Sequence, residues 1–187
     1  MRFARTEIPG LVEVITEPRL DGRGYFVKTF TRGDYGAAGL PVDFTEEFHS
    51  YSRAGVLRGL HFQRPPAAQG KLVFCEQGAI FDAVLDLRVG SPTYGTALSF
   101  ELSGENGRGL YVPEGLAHGF CVLGDEALVA YKTTTEYSAE HDSGVHWDSA
   151  GIEWPVREPI VSGRDTLFAG LSDFSSPFTY NEAGNDE

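Results

Sequence analysis

From residue 72 onward the chain is a succession of short runs of Val, Leu, Phe and Tyr broken by Gly, Pro, Asn and Asp. Lys71-Leu-Val-Phe-Cys-Glu76, Ala79-Ile-Phe-Asp-Ala-Val-Leu-Asp-Leu87, Thr96-Ala-Leu-Ser-Phe-Glu-Leu102, Gly109-Leu-Tyr-Val-Pro113 and Ala127-Leu-Val-Ala-Tyr-Lys-Thr133 have the length and composition of β-strands. Upstream, strands are expected around Leu11 to Val14 and Tyr25 to Phe30. Helical periodicity is weak, and the best candidate is a short helix over Arg32-Gly-Asp-Tyr-Gly-Ala-Ala-Gly39, before Pro41. Many evenly spaced strands predict an all-β sandwich or barrel. No internal repeat or interior linker divides the chain, so residues 1–187 read as one domain. The tail over 172–187, rich in Ser and acidic residues, is expected to fray towards its end.

Composition narrows the function. A chain of 187 residues buries a core without staples. Cys75 and Cys121 both sit in apolar runs, where a reduced, buried thiol is the ordinary state, and this points to the cytoplasm. The N-terminal residues lack the apolar core of a secretory signal, and no apolar stretch reaches membrane-spanning length, so no membrane partner is expected. A formal charge of −12 argues against sequence-independent nucleic-acid binding, which needs cations for the phosphates. An anionic ligand would have to be held by a few local cations.

Two of the five histidines stand in patterned surroundings: Gly55-Val-Leu-Arg-Gly-Leu-His61 and Gly107-Arg-Gly-Leu-Tyr-Val-Pro113-Glu-Gly115-Leu-Ala-His118. The first reads Gly-x5-His and the second Gly-x5-Pro-x-Gly-x2-His. Together they resemble the two halves of a cupin motif, which implies a double-stranded β-helix (jelly roll) with both histidines facing the barrel mouth and short helices at its periphery. A metal-binding cupin continues His-x-His and then supplies a Glu. Here Gln63 takes the place of the second histidine, and Arg64-Pro-Pro-Ala-Ala-Gln69 contains no carboxylate. With too few ligands for a first shell, no metal and no organic cofactor are expected, and chemistry falls to side-chain proton transfer.

A larger ordered set of segments resembles the dTDP-4-dehydrorhamnose 3,5-epimerase family. It comprises Asp21-Gly-Arg23-Gly-Tyr-Phe26, His49-Ser50, Gly55 through Gln63, Gln69-Gly-Lys71-Leu-Val, Phe81-Asp-Ala-Val-Leu-Asp86-Leu-Arg88, Ser91-Pro-Thr-Tyr-Gly95, Pro113 through Phe120, Tyr131-Lys-Thr-Thr and Tyr137. The set spans nearly all of residues 5 to 170. The resemblance implies an isomerase acting on a nucleoside diphosphate 4-keto sugar in deoxysugar biosynthesis, such as the formation of rhamnose. Hydrogens on carbons 3 and 5 are then α to a carbonyl, and inversion needs a base, an acid on the opposite face and a group to hold the enolate oxygen. By resemblance His61 is the base, Asp165 orients it, Tyr131 is the acid, and Lys71 stands near the enolate. Arg58 and Arg23 are implied partners of the diphosphate. Phe26, Lys28, Glu46, Phe48, His49, Gln63, His118 and Tyr137 are implied to line the substrate pocket, His118 in a supporting role. The family also implies a homodimer whose N-terminal strands, within residues 1–48, complete the partner's pocket.

Taken singly, these residues have plainer readings. A strand histidine is usually a satisfied polar group, Tyr131 reads as core with a bonded hydroxyl, Lys71 as a solvated strand end, and Asp165 as the N-cap of the short run that follows it. The chain also departs from the family's pattern. Glu46-Glu47-Phe48-His49-Ser50 replaces a common Gln-Asp-Asn-His-Ser, and Lys28 replaces a Glu. A Lys28–Glu46 pair would present the nucleotide base with different donors and acceptors, and Phe48 removes a polar group from the sugar's path. The alternatives are a cupin 3,4-ketoisomerase of the same substrate class and a non-catalytic sugar-binding cupin.

Overall fold

The structure, a computed structural model, describes residues 1–181. In chain order its elements are β1 (Arg2–Arg5), β2 (Val12–Ile15), β3 (Arg19–Asp21), β4 (Gly24–Phe26), α1 (Arg32–Ala37), β5 (Glu46–Arg53), β6 (Leu57–Gln63), β7 (Lys71–Asp86), β8 (Ala97–Ser103), β9 (Arg108–Val112), β10 (Leu116–Thr133) and β11 (Asp142–Gly144). Two 3₁₀ turns follow, Asp165–Leu167 and Leu171–Asp173. Among the described residues the strands form a nine-stranded antiparallel sheet and a separate β3–β4 hairpin.

The two predicted runs 71–76 and 79–87 are one strand, β7, and its partner β10 is equally long. Each is flanked on its outer edge by two strands placed end to end. β9 pairs with β7 over Lys71–Phe74 and β8 over Ala79–Leu85, while β6 pairs with β10 over His118–Cys121 and β5 over Glu126–Thr133. The ladder bends midway, where its register shifts between Val122 and Ala127. Gly78 allows this bend: its φ is 74°, in the left-handed region, and a Cβ there would lie 2.0 Å from the Glu126 carbonyl oxygen. One half of the ladder therefore belongs to one layer and the other half to a second layer facing it, which gives the jelly roll.

Burial explains the unbroken apolar runs. Side chains alternate across a strand, so Val73 and Cys75 enter the inter-layer core with Ile80, Val84, Phe120 and Val129. Leu72 and Phe74 face outward, yet they too are buried, against Val12, Val14, Tyr111 and Tyr35. The short helix α1 forms where expected and supplies Tyr35, fully buried, with its hydroxyl donated to the Thr29 carbonyl at 2.7 Å. The other layer's outer face buries Phe62, Leu85 and Leu87 beneath the C-terminal segment, including Phe174 and Phe178. That part of the tail is pinned beside Val89, whose N–H donates to Phe178 O while Tyr180 N–H donates to Val89 O. Residues 182–187, the end of the tail expected to fray, lie outside the described residues. Cys75 and Cys121 are buried and free, as read from the sequence.

At the end of β7 the fully buried Asp86 carboxylate accepts from Arg88 Nε, Nη2 and backbone N–H, and from the Ser91 and Thr93 hydroxyls, at 2.6–2.9 Å. Arg88 also donates to Pro9 O and lies over the Tyr180 ring, so one pair ties the N-terminal loop, the 91–95 turn and the C-terminal strap to the ladder. Removing one partner leaves the other charge buried and uncompensated. Asp86→Ala is expected to lower the unfolding free energy by about 3–5 kcal/mol in denaturant titrations, whereas truncating the exposed Asp21 changes it little.

Candidate active site

Strand parity and the register of β7 with β10 place one set of side chains on the inner face. His118 opposes Val84, Phe120 opposes Asp82 and Tyr131 opposes Val73, while His61 opposes His118 across β6 and β10. Lys71, Asp82, His118, Tyr131 and His61 therefore point into the barrel with the apolar core beneath them. The register of β6 with β10 also shifts between His118 and Phe120, where Gly59 approaches Gly119 so closely that a Cβ on Gly59 would lie 2.5 Å from Gly119 Cα.

The carboxylate behind His61 arrives from far along the chain. Ile160 is bridged to Val56, and its backbone bonds to Gly55 and Leu57 hold the C-terminal segment beside the start of β6. The turn that begins at Asp165 consequently lands under the imidazole. Asp165 Oδ1 is 2.8 Å from His61 Nε2, and Oδ2 accepts the Gly59 N–H at 3.3 Å. Burial works to raise the Asp165 pKa, but His61, Ser162 and the Gly59 amide outweigh it and hold the carboxyl at about 2. Burial lowers His61 below the ordinary imidazole value despite Asp165, and the Lys71 and Arg164 charges add to that lowering. Phe168 packs edge-on against the imidazole with a centroid distance of 5.9 Å.

Lys71 Nζ donates to the His61 carbonyl at 3.3 Å, and burial pushes its pKa down to about 8. His118 bonds a neighbour: its Nε2 is 2.7 Å from Asp82 Oδ2. Asp82 is fully buried, its pKa is raised by burial against the opposing pull of His118 and Lys71, and its Oδ1 has no hydrogen-bond partner among the described residues. Tyr131 is buried, and burial together with the Asp82 charge keeps its phenol protonated far above neutral pH. Phe48, opposite Tyr131 on β5, stacks on it at 4.8 Å with the rings 15° apart. Arg58 is exposed at the same rim, held by Ser52 Oγ and the Tyr51 carbonyl.

Several expectations are corrected. His49 does not line the pocket: it is one residue out of phase with Phe48, opposes the outward-facing Ala130 and is exposed. Gln63 is not free for substrate. It is buried, its amide donates to the Ala67 and Glu136 carbonyls, and its carbonyl accepts the Ser138 N–H, because a buried amide must be satisfied. Lys28 and Glu46 do not pair within the chain. Glu46 accepts the Tyr137 N–H at 2.9 Å, while Lys28 lines a cleft with Phe26, Arg19, Glu17 and Asp34. Arg23 is ion-paired to Asp21 at 2.6 Å on the exposed hairpin, away from this chain's own His61; the expectation that Arg23, Phe26 and Lys28 serve a partner's pocket is not among those corrected. Tyr137 stands at the rim, exposed, with its hydroxyl donated to Asp142 at 3.3 Å.

Sequence reasoning missed Asp82 and Arg164. Asp82 could have been noticed as a carboxylate inside an otherwise apolar strand. Arg164, next to Asp165, bonds His61, Asp142 and Asp165. Among the described residues no three His, Cys, Asp or Glu side chains converge as a metal cluster, and no helix is long and apolar enough to cross a membrane.

Residues 5–173 match the family model of dTDP-4-dehydrorhamnose 3,5-epimerase. The Shigella flexneri protein of that name is 47% identical over 170 residues, covering 88% of this chain and 93% of the relative. A Streptomyces niveus dTDP-4-dehydrorhamnose 3-epimerase is 39% identical, covering 88% and 81%. The crystal structure of the Legionella pneumophila 3,5-epimerase, in complex with dTDP-4-keto-L-rhamnose, superimposes with a TM-score of 0.91 at 35% identity over 96% of this chain and 99% of that one. Because the match runs through both His61 and Asp165 and through the barrel that brings them together, this chain belongs to the dTDP-4-dehydrorhamnose 3,5-epimerase family of cupin-fold isomerases.

Proposed function

We propose that the barrel inverts carbon 3, carbon 5 or both of a nucleoside diphosphate 4-keto-6-deoxyhexose through an enolate, with dTDP-4-keto-6-deoxyglucose as the default substrate. The observation that carries this reading is the inner-face grouping of a carboxylate-backed imidazole, a buried ammonium and a buried phenol. If Asp165 accepts Nε2–H, the lone pair of His61 lies on Nδ1, and the carboxylate stabilises the imidazolium formed when that nitrogen takes the α-proton. Lys71, on the strand crossing behind His61, supplies positive charge for the enolate oxygen where little water competes. Burial keeps the Tyr131 phenol protonated until the enolate forms, so it can give its proton to the carbon on the face opposite His61; His61 then releases the proton it took, and solvent returns one to the phenolate of Tyr131. The Phe48 ring lying flat on it restricts its plane, and the relatives include both 3,5- and 3-epimerases, so Phe48 is the residue of this chain best placed to bias which carbon is inverted.

Arg58 is the rim cation for the diphosphate. The exposed hairpin carries Arg23 and Phe26 with Leu20 and Tyr25 also bare, a surface suited to a two-fold partner whose pocket it would complete. We therefore read the enzyme as a cytoplasmic homodimer. Light scattering at micromolar concentration should give twice the chain mass, and a fully active monomer would exclude the exchange.

His61→Ala should abolish incorporation of solvent deuterium into the keto sugar nucleotide, because no enolate forms without the base. Tyr131→Phe should impair inversion more than exchange, each effect falling within roughly 10²–10⁴-fold. Loss of exchange in the tyrosine variant with retention in the histidine variant would reverse the roles.

The pH dependence follows from the same groups. His61, lowered by burial, keeps its base form at neutral pH, so the acid limb of kcat/KM lies below the ordinary imidazole value. The Lys71 ammonium is lost as pH rises through about 8, which produces an alkaline limb there. Lys71→Arg should move that limb to higher pH; an unmoved limb would assign it to another group.

A further inference from the structure

Arg164 lies beside the proposed base and plays no part in the mechanism above. Its side chain is half exposed, and its guanidinium is held from three directions. Nη1 is ion-paired to Asp142 Oδ2, the oxygen that also accepts from Tyr137, while Nε is 3.3 Å from Asp165 Oδ1. Nη2 is 2.9 Å from His61 Nε2, and the guanidinium carbon sits 5.7 Å from the Phe168 ring centroid.

The chemistry of that one nitrogen makes these contacts informative. A guanidinium only donates hydrogen bonds, and a carboxylate only accepts them. His61 Nε2 lies within bonding distance of both, at 2.9 Å from Arg164 and 2.8 Å from Asp165. With a proton on Nε2 the imidazole donates to Asp165 and has nothing to offer Arg164. With Nε2 bare it accepts from Arg164, and the proton sits on Nδ1, the nitrogen that must be free to act as the base. The two bonds belong to opposite tautomers and exclude each other. An imidazolium, carrying protons on both nitrogens, excludes the bond to Arg164 altogether.

We propose that Arg164 is a positioning residue for the proton-abstracting base: clamped by Asp142, it competes with Asp165 for Nε2 of His61 and holds part of the substrate-free enzyme in the tautomer that cannot abstract a proton. The clamp joins the rim to the base, since Asp142 also bonds Tyr137, which the family resemblance puts in the lining of the substrate pocket. An anionic ligand at the rim competes for the guanidinium, and movement of Arg164 towards that ligand leaves Nε2 to Asp165. This rests on the reading of His61 as the base.

The groups facing His61 are Asp165 and Arg164 from the C-terminal segment, Lys71 from β7, His118 from β10 with Asp82 behind it, and Asp142 from β11. Of these Arg164 is the cation in direct contact with the ring nitrogen. The test is nitrogen-15 long-range NMR of the His61 imidazole in the full-length, substrate-free protein, which reports tautomer and titration without turnover. Wild type should show both neutral tautomers. Arg164→Met should show the Nε2–H form alone and titrate at higher pH, and kcat/KM at pH 6 should fall by roughly tenfold relative to its own neutral plateau. Arg164→Lys should return the titration towards wild type. Asp142→Asn, which loosens the clamp while keeping the guanidinium, should shift the tautomer in the same sense and guards against misfolding of the methionine variant. Unchanged tautomer and titration in both Arg164→Met and Asp142→Asn would overturn the proposal. If these spectra change as expected while His61→Ala still exchanges deuterium, the error lies in the role given to His61.

Discussion

The pairing of β7 with β10 must keep one register on each side of its bend, because every ionisable group in the barrel depends on it. Side chains alternate with a period of two, so a slip by one residue would send Lys71, Asp82, His118 and Tyr131 outward and bring Leu72 and Lys132 in. The apolar residues enforce the register. Val73, Val84, Phe120 and Val129 share the inner face with those polar groups, and their burial would be lost in the same slip. The buried Asp86–Arg88 pair fixes one end of the ladder, and the shift opposite Gly78 confines the irregularity to the bend.

Within this frame, burial sets the protonation states that proton transfer needs. Desolvation penalises charge, so it lowers His61 and Lys71 and raises Tyr131 and Asp82. The outcome is an imidazole available as a base, an ammonium poised near the upper edge of physiological pH and a phenol that holds its proton. Asp165 is the exception. Three hydrogen-bonding groups overcome its burial and keep it anionic, and that anion is what makes an imidazolium tolerable beside Lys71 and Arg164.

The strands were legible because their apolar runs are bounded by Gly, Pro, Asn and Asp, and the short helix because Pro41 closes it. The continuity of β7 was not: Gln77-Gly78 reads as a turn in isolation, and only the matching bend in β10 makes it an interruption within one strand. The contact of His61 with Asp165, 104 positions apart in sequence, was legible through the ordered family pattern, as was the gathering of Lys71 and Tyr131 on the same inner face. His49 failed because a motif does not reveal strand parity. That Lys28 and Glu46 do not meet within one chain was not legible, because charge complementarity in a sequence does not show which cations and carboxylates the fold brings together. Arg164 left a faint signal, since a cation adjacent to an orienting carboxylate reads as an ordinary surface residue until the turn is placed under His61.

Gln63 shows how a barrel position can be reassigned. Where a metal-binding cupin would place a ligand, this amide bonds the backbone at Ala67, Glu136 and Ser138, joining the loop after β6 to the loop after β10. Those loops carry the rim. Tyr137, between two of the anchored residues, is held by Glu46 through its N–H and reaches Asp142 through its hydroxyl, and Asp142 grips Arg164. A chain of hydrogen bonds thus runs from Gln63 through the rim to the imidazole two residues before it in β6. The amide at position 63 is therefore part of the same hydrogen-bonded network as His61, linked to it through the rim residues Tyr137, Asp142 and Arg164.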